Sequence, residues 1–214
     1  MTHEEWATKK VYFPSQDISP ILGYFKIKFS PQYKLLFKLM DRPDVHTLFA
    51  KWASQSGKSL FEMLIIGYRL DNEPANVLYM QPIKDDIPKV LRLKINPVLK
   101  CIKDLWQKFE DYIATEGIRS KDAIKQLAGG SLVVSGSSVK ERKSLTVPLL
   151  VMDEIGEFDK GAVKEASERL KAFSKFFPKK IGVSTIVHPK DEICTNFENC
   201  EAIMEWRYKC PNCK

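Results

Sequence analysis

Two short stretches of this chain carry residues that could do chemistry on a phosphate. The first is Ser54-Gln55-Ser56-Gly57-Lys58-Ser59. Its end matches the phosphate-gripping pattern G-x-x-x-x-G-K-[ST]. In such a loop the backbone N–H groups cradle phosphate oxygens, the lysine reaches the β- and γ-phosphates, and the hydroxyl ligates Mg²⁺. The pattern's first glycine is absent, and Trp52 stands in its place. The second stretch, Leu-Leu-Val-Met followed by Asp153-Glu154, lies about 95 residues beyond Lys58. A buried strand ending in two acids delivers them to the sheet edge where α/β proteins bind ligands. There Asp153 would hold Mg²⁺ through water, and Glu154 would orient and deprotonate an attacking water. Each stretch also has a plain reading: Gly57 as a turn, Ser59 as a helix cap, the acids as a surface turn. Together, in a chain that alternates strands and helices, they favour phosphate chemistry.

Two fainter features belong beside them. Ser184-Thr185 ends a second apolar strand, and hydroxyls there could sense a γ-phosphate and pass its loss to a moving element. Strands also end in Ser or Thr for no such reason. The stretch "SGSSVKERKSLTVP" carries Lys140, Arg142 and Lys143. An arginine on such a loop could act as a finger in cis or in trans, or the loop is simply a solvated basic cluster. His3, His46 and His188 show no metal-ligand spacing and are assigned nothing. Cys210 and Cys213 form C-P-N-C, half of a tetrahedral zinc site. The other half would have to follow downstream or come from Cys194 or Cys200.

The elements that must position these residues can be read from periodicity. Residues 1 to about 30 show no clear period and predict an irregular arm. "PQYKLLFKLM" spaces Tyr33, Leu36, Phe37 and Met40 on one helix face. "VHTLFAKWA" reads as a strand running into the Gly57 loop, and "SGKSLFEMLIIGYRL" as the helix leaving it. "ANVLYMQP" is a short apolar strand. Residues 83 to 113 look helical with a break at Asn96-Pro97. Two short strands turn at Gly129-Gly130. "VPLLVMDE" and "KKIGVSTIVHP" are strands of the kind buried on both faces, with the helical pattern "GAVKEASERLKAFSKFF" between them. "AIMEWRYKC" reads as a last strand. The alternation predicts a three-layer α/β domain with a mainly parallel sheet and helices on both faces.

Composition adds broad limits. The 214 residues are 44% hydrophobic and 29% charged, ordinary for a chain that buries a real core. No apolar run reaches the roughly 18 residues of a membrane span, and "MTHEEWATKK" does not read as a signal peptide. Net charge +7 with pI about 9.0 suits a polyanionic partner, though the lysine-rich segments also read as solvated helix faces. Five cysteines in no disulfide-like framework read as reduced thiols of a cytosolic compartment.

Taken in order, "FSPQYKLLFKLMDRPDVHTLFAKWASQSGKS", "VLYMQPIKDD", "LAGGSLVVSGSS", "LLVMDEIGEF", "GVSTIVHP" and "RYKCPNC" resemble one family, the large terminase subunit of tailed bacteriophages in its lambda-like branch. The resemblance implies an ATPase motor on a RecA-like P-loop NTPase fold of the ASCE type. It would drive double-stranded viral DNA into a procapsid in the host cytoplasm. That family is known for a phosphate loop without the first glycine. By the likeness Ser54, Gln55, Ser56, Gly57, Lys58 and Ser59 bind ATP, Ser59 and Asp153 hold Mg²⁺, and Glu154 is the catalytic acid. Ser184-Thr185 is the coupling motif, with Ile186 where proline is usual. Gln32-Tyr33 falls in the segment that contacts adenine. Many relatives carry a basic residue inside the loop. Here Ser54 and Gln55 stand there, which makes Arg142 the candidate for charge neutralisation. The implied partners are DNA through its phosphates, the portal protein, the small terminase subunit and further copies in a ring, an isolated domain being monomeric; none is a membrane. The expected layout is an arm and adenine-side segment at 1–45, an ATPase domain at 46–207 and the start of a zinc-ribbon-like segment at 208–214. No residues remain for the family's nuclease domain, and Zn²⁺ would belong to a longer protein. Two rivals stand beside this reading: another DNA-dependent ATPase of helicase or repair type, and a non-catalytic nucleotide- or DNA-binding module.

Overall fold

The apolar strands lie where the alternation places them, at the centre of a layered α/β fold. The computed structural model describes residues 1–116, 123–138, 145–186 and 188–207. Helix α1 (His3–Lys10) is followed by the short strands β1 (Tyr12–Phe13) and β2 (Gly23–Tyr24), then α2 (Gln32–Asp41), β3 (Thr47–Lys51), α3 (Lys58–Asn72) and β4 (Asn76–Gln81). Next come α4 (Ile87–Val90), a π-helical turn at Leu91–Ile95, α5 (Asn96–Lys100) and α6 (Lys103–Glu116). The chain continues with β5 (Ile124–Leu127), β6 (Gly130–Gly136), β7 (Leu149–Asp153), α7 (Ala162–Ser167), β8 (Lys179–Ser184) and α8 (Glu192–Glu198).

Among the described residues, six strands form one sheet in the order β3-β8-β7-β4-β6-β5, with β5 alone antiparallel to its neighbour. Successive side chains of a strand point to opposite faces, and here both faces are buried. In β4, Val77 and Tyr79 join one apolar cluster, with α1, α2, α3, α5 and α6, while Leu78 and Met80 join another. In β7, Leu149 and Val151 divide from Leu150 and Met152 in the same way; α7 and α8 cover the second face. Strands apolar throughout are the sequence signature of this double burial.

The order has one consequence for chemistry. Strand β8 lies between β3 and β7, and its register sets Lys51 level with Ser184 and Asp153 level with Val183. The end of β3, the Ser184-Thr185 pair and the two acids therefore meet at one edge.

Several sequence expectations need correction. The arm begins as a helix. Thr2 and Glu5 form a reciprocal capping box at the N-terminus of α1, and Trp6 is fully buried. The Trp6 indole N–H donates to Asp71 at 2.8 Å. Its ring lies against α3 at Gly67, where an added Cβ would come within 2.9 Å of it and 2.6 Å of Ile102. The Thr-x-x-Glu spacing was a legible signal for this helix. The helical stretch after residue 83 does not break at Pro97. It widens just before it into the π turn, with the Asn96 N–H bonded to the Leu91 carbonyl five residues back. Proline lacks an N–H and its ring crowds the carbonyl four residues earlier, so a wider turn relieves both faults. The actual break falls at Cys101-Ile102. After α7 the expected amphipathic helix tightens to 3₁₀ over Glu168–Phe176. Residues 201–207 form no strand. Helix α8 was not anticipated; Asp191 caps it by accepting from the Cys194 N–H at 3.1 Å.

One ionisable group sits inside the core. Glu62, on α3 facing the sheet, is 0% exposed and neither carboxylate oxygen has a hydrogen-bond partner. Burial, reinforced by the nearby Asp153 charge, pushes its carboxyl well above the usual range, against the opposing pull of Lys58 and Lys94. The folded protein therefore holds a proton that the unfolded chain releases once pH exceeds the ordinary Glu value. Between those two values stability falls as pH rises, by up to about 1.4 kcal/mol per pH unit. Glu62→Gln should gain on the wild type in urea midpoint as pH is raised from 5 to 8; parallel curves would refute the assignment. Trp6→Ala should lower unfolding free energy by roughly 3–5 kcal/mol in a single cooperative transition. Loss of a small, separate transition would mean that the arm is not part of this core.

Candidate active site

The loop between β3 and α3 is held from below by aromatic side chains. Trp52, where a phosphate loop usually has glycine, is 9% exposed and stacks on Phe61 with 5.4 Å between ring centroids. Its indole N–H donates to the Ser56 carbonyl at 3.2 Å, and the Gln32 amide donates to the same oxygen at 3.3 Å. The fully buried Tyr33 donates its hydroxyl to the Gly57 carbonyl. An added Cβ at Gly57 would lie 2.3 Å from that hydroxyl, and the residue sits at φ +93°, so glycine is required twice over. Gln55 also has a positive φ of 57°. These anchors leave Ser54, Gln55 and Ser56 exposed, and Gly57 and Ser59 partly exposed, at the N-terminus of a 15-residue helix. Free N–H groups and the helix dipole favour an anion there.

Lys58, the first residue of α3, points across the sheet edge to both acids. Its ammonium is 2.9 Å from Asp153 Oδ1 and in closer contact still with Glu154 Oε1. Its side chain is only 10% exposed. Burial alone would lower its pKa, but the charges of Asp153 and Glu154 outweigh that and raise it. Asp153 is 2% exposed, and its other oxygen accepts from the Tyr79 hydroxyl at 2.8 Å and meets the Lys94 ammonium at 3.3 Å. Burial pushes its carboxyl up, and the charges of Lys58 and Lys94 with those hydrogen bonds bring it down overall, so it stays ionised. Glu154 adopts a left-handed backbone at φ +51°, a costly conformation for this residue that turns its side chain out of the strand direction.

The second oxygen of Glu154 is held from β8. Thr185 donates its N–H at 3.4 Å and its hydroxyl at 3.3 Å, and the buried Ser184 hydroxyl lies at 3.3 Å. Ser184 in turn accepts from the Gly156 N–H at 3.1 Å. The expected loop, acid pair and Ser-Thr pair are thus one cluster. Gln32 reaches the outside of the loop, whereas Tyr33 reaches it from the core, as an anchor and not as an open face for a base. Arg142, Cys210 and Cys213 lie outside the described residues. Sequence reasoning missed Tyr79, Glu62 and Lys94. Nothing in "ANVLYMQP" or in a lysine-rich helix singles them out, because their role comes from strand pairing and the π turn.

No group of three His, Cys, Asp or Glu among the described residues could cage a metal. What is present is one ionised buried carboxylate, Asp153, joined through Lys58 to the helix N-terminus that also carries Ser59. That set suits Mg²⁺, which binds through one or two carboxylates and completes its shell with substrate phosphates. Beside the acids a cleft of about 210 Å³ is lined by Gln81, Lys89, Lys94, Asp153 and Glu154 among others. A second cleft, of about 250 Å³, includes His3, Asp41, Tyr68 and Lys179, away from this cluster. Its charged groups are already engaged, His3 with Asp41 and Lys179 with backbone carbonyls, and we assign it no chemistry.

Among curated proteins none matches the chain. The solved structures similar to it in fold include two phage terminases. The bacteriophage HK97 large terminase aligns with a TM-score of 0.66 at 14% identity, covering 92% of this chain and 41% of that one. A mutant of the Thermus phage P74-26 large terminase ATPase domain aligns with a TM-score of 0.52 at 13% identity, covering 78% of this chain and 68% of that one. This chain spans about two fifths of the HK97 protein's length. The family described as phage terminase large subunit gpA, ATPase domain, matches residues 19–214. That span takes in the loop, both acids and the Ser-Thr pair, and by it the chain belongs to the phage terminase large subunit gpA ATPase-domain family.

Proposed function

We propose that the chain binds ATP with Mg²⁺ at the Gly57 loop, hydrolyses it, and in the complete terminase drives double-stranded DNA into a procapsid. The observation that carries the reading is the Lys58 ammonium in contact with both Asp153 and Glu154, residues brought from opposite ends of the domain to a helix N-terminus. In their proposed roles Ser54 to Ser59 cradle the phosphates, Gln32 supports the adenine side, and Ser59 with Asp153 hold Mg²⁺. The ion would neutralise charge on the β- and γ-phosphates.

The contacts of Lys58 and Glu154 suggest an order of events at the protein's own groups. A carboxylate paired with an ammonium is a poor base, so Glu154 becomes active only when Lys58 turns from it to the triphosphate. Glu154, held by Ser184 and Thr185, then orients a water. As the water oxygen bonds to the γ-phosphorus, the bond to the departing ADP oxygen breaks and the water's proton passes to the carboxylate. After phosphate leaves, Lys58 and Glu154 can pair again, and the hydrogen bonds from Glu154 to β8 offer a path for that change. This is our reading of Ser184-Thr185 as the coupling element.

The wider assembly rests on family membership alone. We propose a ring of copies on a portal in the host cytoplasm, working with the small subunit. Arg142 would act across to a neighbouring ATP, and Cys210 with Cys213 would be two ligands of a zinc-ribbon-like segment. DNA contact would be through phosphates and would weaken steeply with salt. The layout carried forward is 1–45 packed on an ATPase domain at 46–207. No helix of the described residues is long and apolar enough to cross a membrane.

Glu154→Ala should abolish Mg²⁺-dependent ATP turnover, measured with DNA at high protein concentration, while ATP affinity stays within a few-fold of wild type. Lys58→Ala should lose nucleotide affinity as well. Wild-type protein that neither binds nor hydrolyses ATP under these conditions would sink the motor reading. Binding without turnover in wild type would favour the non-catalytic module.

A further inference from the structure

Resting on the ATPase reading above, we infer that Lys94 is a second cation of the phosphoryl-transfer site, meeting the γ-phosphate in cis from the cleft side opposite the loop. Lys58 and Lys94 occupy the two oxygens of one buried carboxylate, at 2.9 Å from Oδ1 and 3.3 Å from Oδ2 of Asp153. Asp153 cannot keep both ammonium groups and also serve a metal ion, because like charges would crowd its two oxygens. Once the metal site forms, both lysines must find other anions, and the anion at hand is the triphosphate.

Lys94 is built for that move. Leu91 and Ile95 of the π turn are buried, and Lys94 between them faces the sheet edge with its side chain 40% exposed. Single π turns in a helix recur at functional sites, and this one is what sets Lys94 against Asp153 rather than in solvent with Arg92 and Leu93. Lys94 also lines the 210 Å³ cleft together with Lys89, Gln81 and Glu154, so a path exists from Asp153 into open space beside the catalytic acid. Charge balance points the same way. Asp153 and Glu154 border the site as carboxylates, Glu62 being held neutral by burial, and the loop residues Ser54, Gln55 and Ser56 bring no cation of their own. The negative charge of a transferring phosphoryl group sits on its three equatorial oxygens and needs positive charge from more than one side. A compact ammonium with three rotatable donors suits it.

The test compares wild type, Lys94→Met and Lys94→Arg in the 214-residue chain, for affinity to Mg·ADP, affinity to Mg·ADP with aluminium fluoride, and thermal midpoint. We expect Lys94→Met to keep wild-type Mg·ADP affinity, to unfold in one cooperative transition at a midpoint lowered by the lost contact to Asp153, and to lose at least tenfold of the added affinity for the fluoride complex. Its turnover should drop by roughly 10²–10³-fold, the usual loss for one transition-state donor. Lys94→Arg should recover most of both. Unchanged capture of the fluoride complex by Lys94→Met overturns the inference and leaves the ATPase reading intact. Equal loss of Mg·ADP and fluoride-complex affinity also overturns it, since Lys94 would then only organise Asp153. Wild-type protein that binds no Mg·ADP overturns both.

Discussion

A single ammonium group shared by two carboxylates at the edge of a parallel sheet governs this molecule. Lys58 is nearly buried, Asp153 is buried, and burial disfavours the charged form of each. Removing one partner of such a pair typically costs about 3–5 kcal/mol, because the other charge is left uncompensated. To form the contact, the first residue of α3 must reach the end of β7, although β3 and β7 are not neighbours in the sheet. The insertion of β8 between them, with Lys51 level with Ser184 and Asp153 level with Val183, makes the ends of all three strands coincide. Strand order, register and helix placement all answer to that one contact.

Around it, a surplus of negative charge is managed by different means at each acid. Glu62 has no partner and is kept neutral by burial. Asp153 stays ionised because two lysines and a tyrosine hydroxyl meet it. Glu154, at the rim and in a strained backbone conformation, is tethered through one oxygen to β8 and through the other to Lys58. The three carboxyls therefore stand in three environments, and the one proposed to do acid–base work is the most exposed of them. The same ammonium that meets buried Asp153 also meets this carboxylate.

The parts of this arrangement that follow local rules were legible in the sequence. Gly57-Lys58-Ser59 with Asp153-Glu154 stood out as one candidate site because loop, helix start and apolar strand each have a local pattern, and the family resemblance supplied the role proposed for the Ser-Thr pair. The capping box of α1 was also there to be read, but Trp6 and aromatic residues near it masked its short period. Tyr79, Glu62 and Lys94 could not be read in this way. Tyr79 looks like one more apolar residue of a buried strand, and only the pairing of β4 with β7 brings its hydroxyl to Asp153. Glu62 looks like a solvent-facing helix acid until α3 proves buried almost all round. Lys94 depends on a helical defect imposed by Pro97, and sequence periodicity assumed a regular turn there.

Trp52 shows how far such a departure from pattern can be structural and not merely tolerated. A glycine at that position would leave the loop's start without a side chain to fix it. The indole fills the space over Phe61, bonds to the Ser56 carbonyl within the loop, and through its own backbone N–H bonds to the Ser184 carbonyl at 2.9 Å. The contacts then close on themselves: loop to Trp52, Trp52 to Ser184, Ser184 to Glu154, Glu154 to Lys58, and Lys58 back to the loop it begins from. In a closed circuit of this kind no member can shift alone. A change at Lys58 must be taken up at Glu154, and a change at Glu154 must be felt by β8 and by the tryptophan that holds the loop. The bond to Ser184 is made by the backbone and needs no particular side chain, whereas the bond to the Ser56 carbonyl needs the indole, so the residue that breaks the pattern is the one that ties the loop into the circuit.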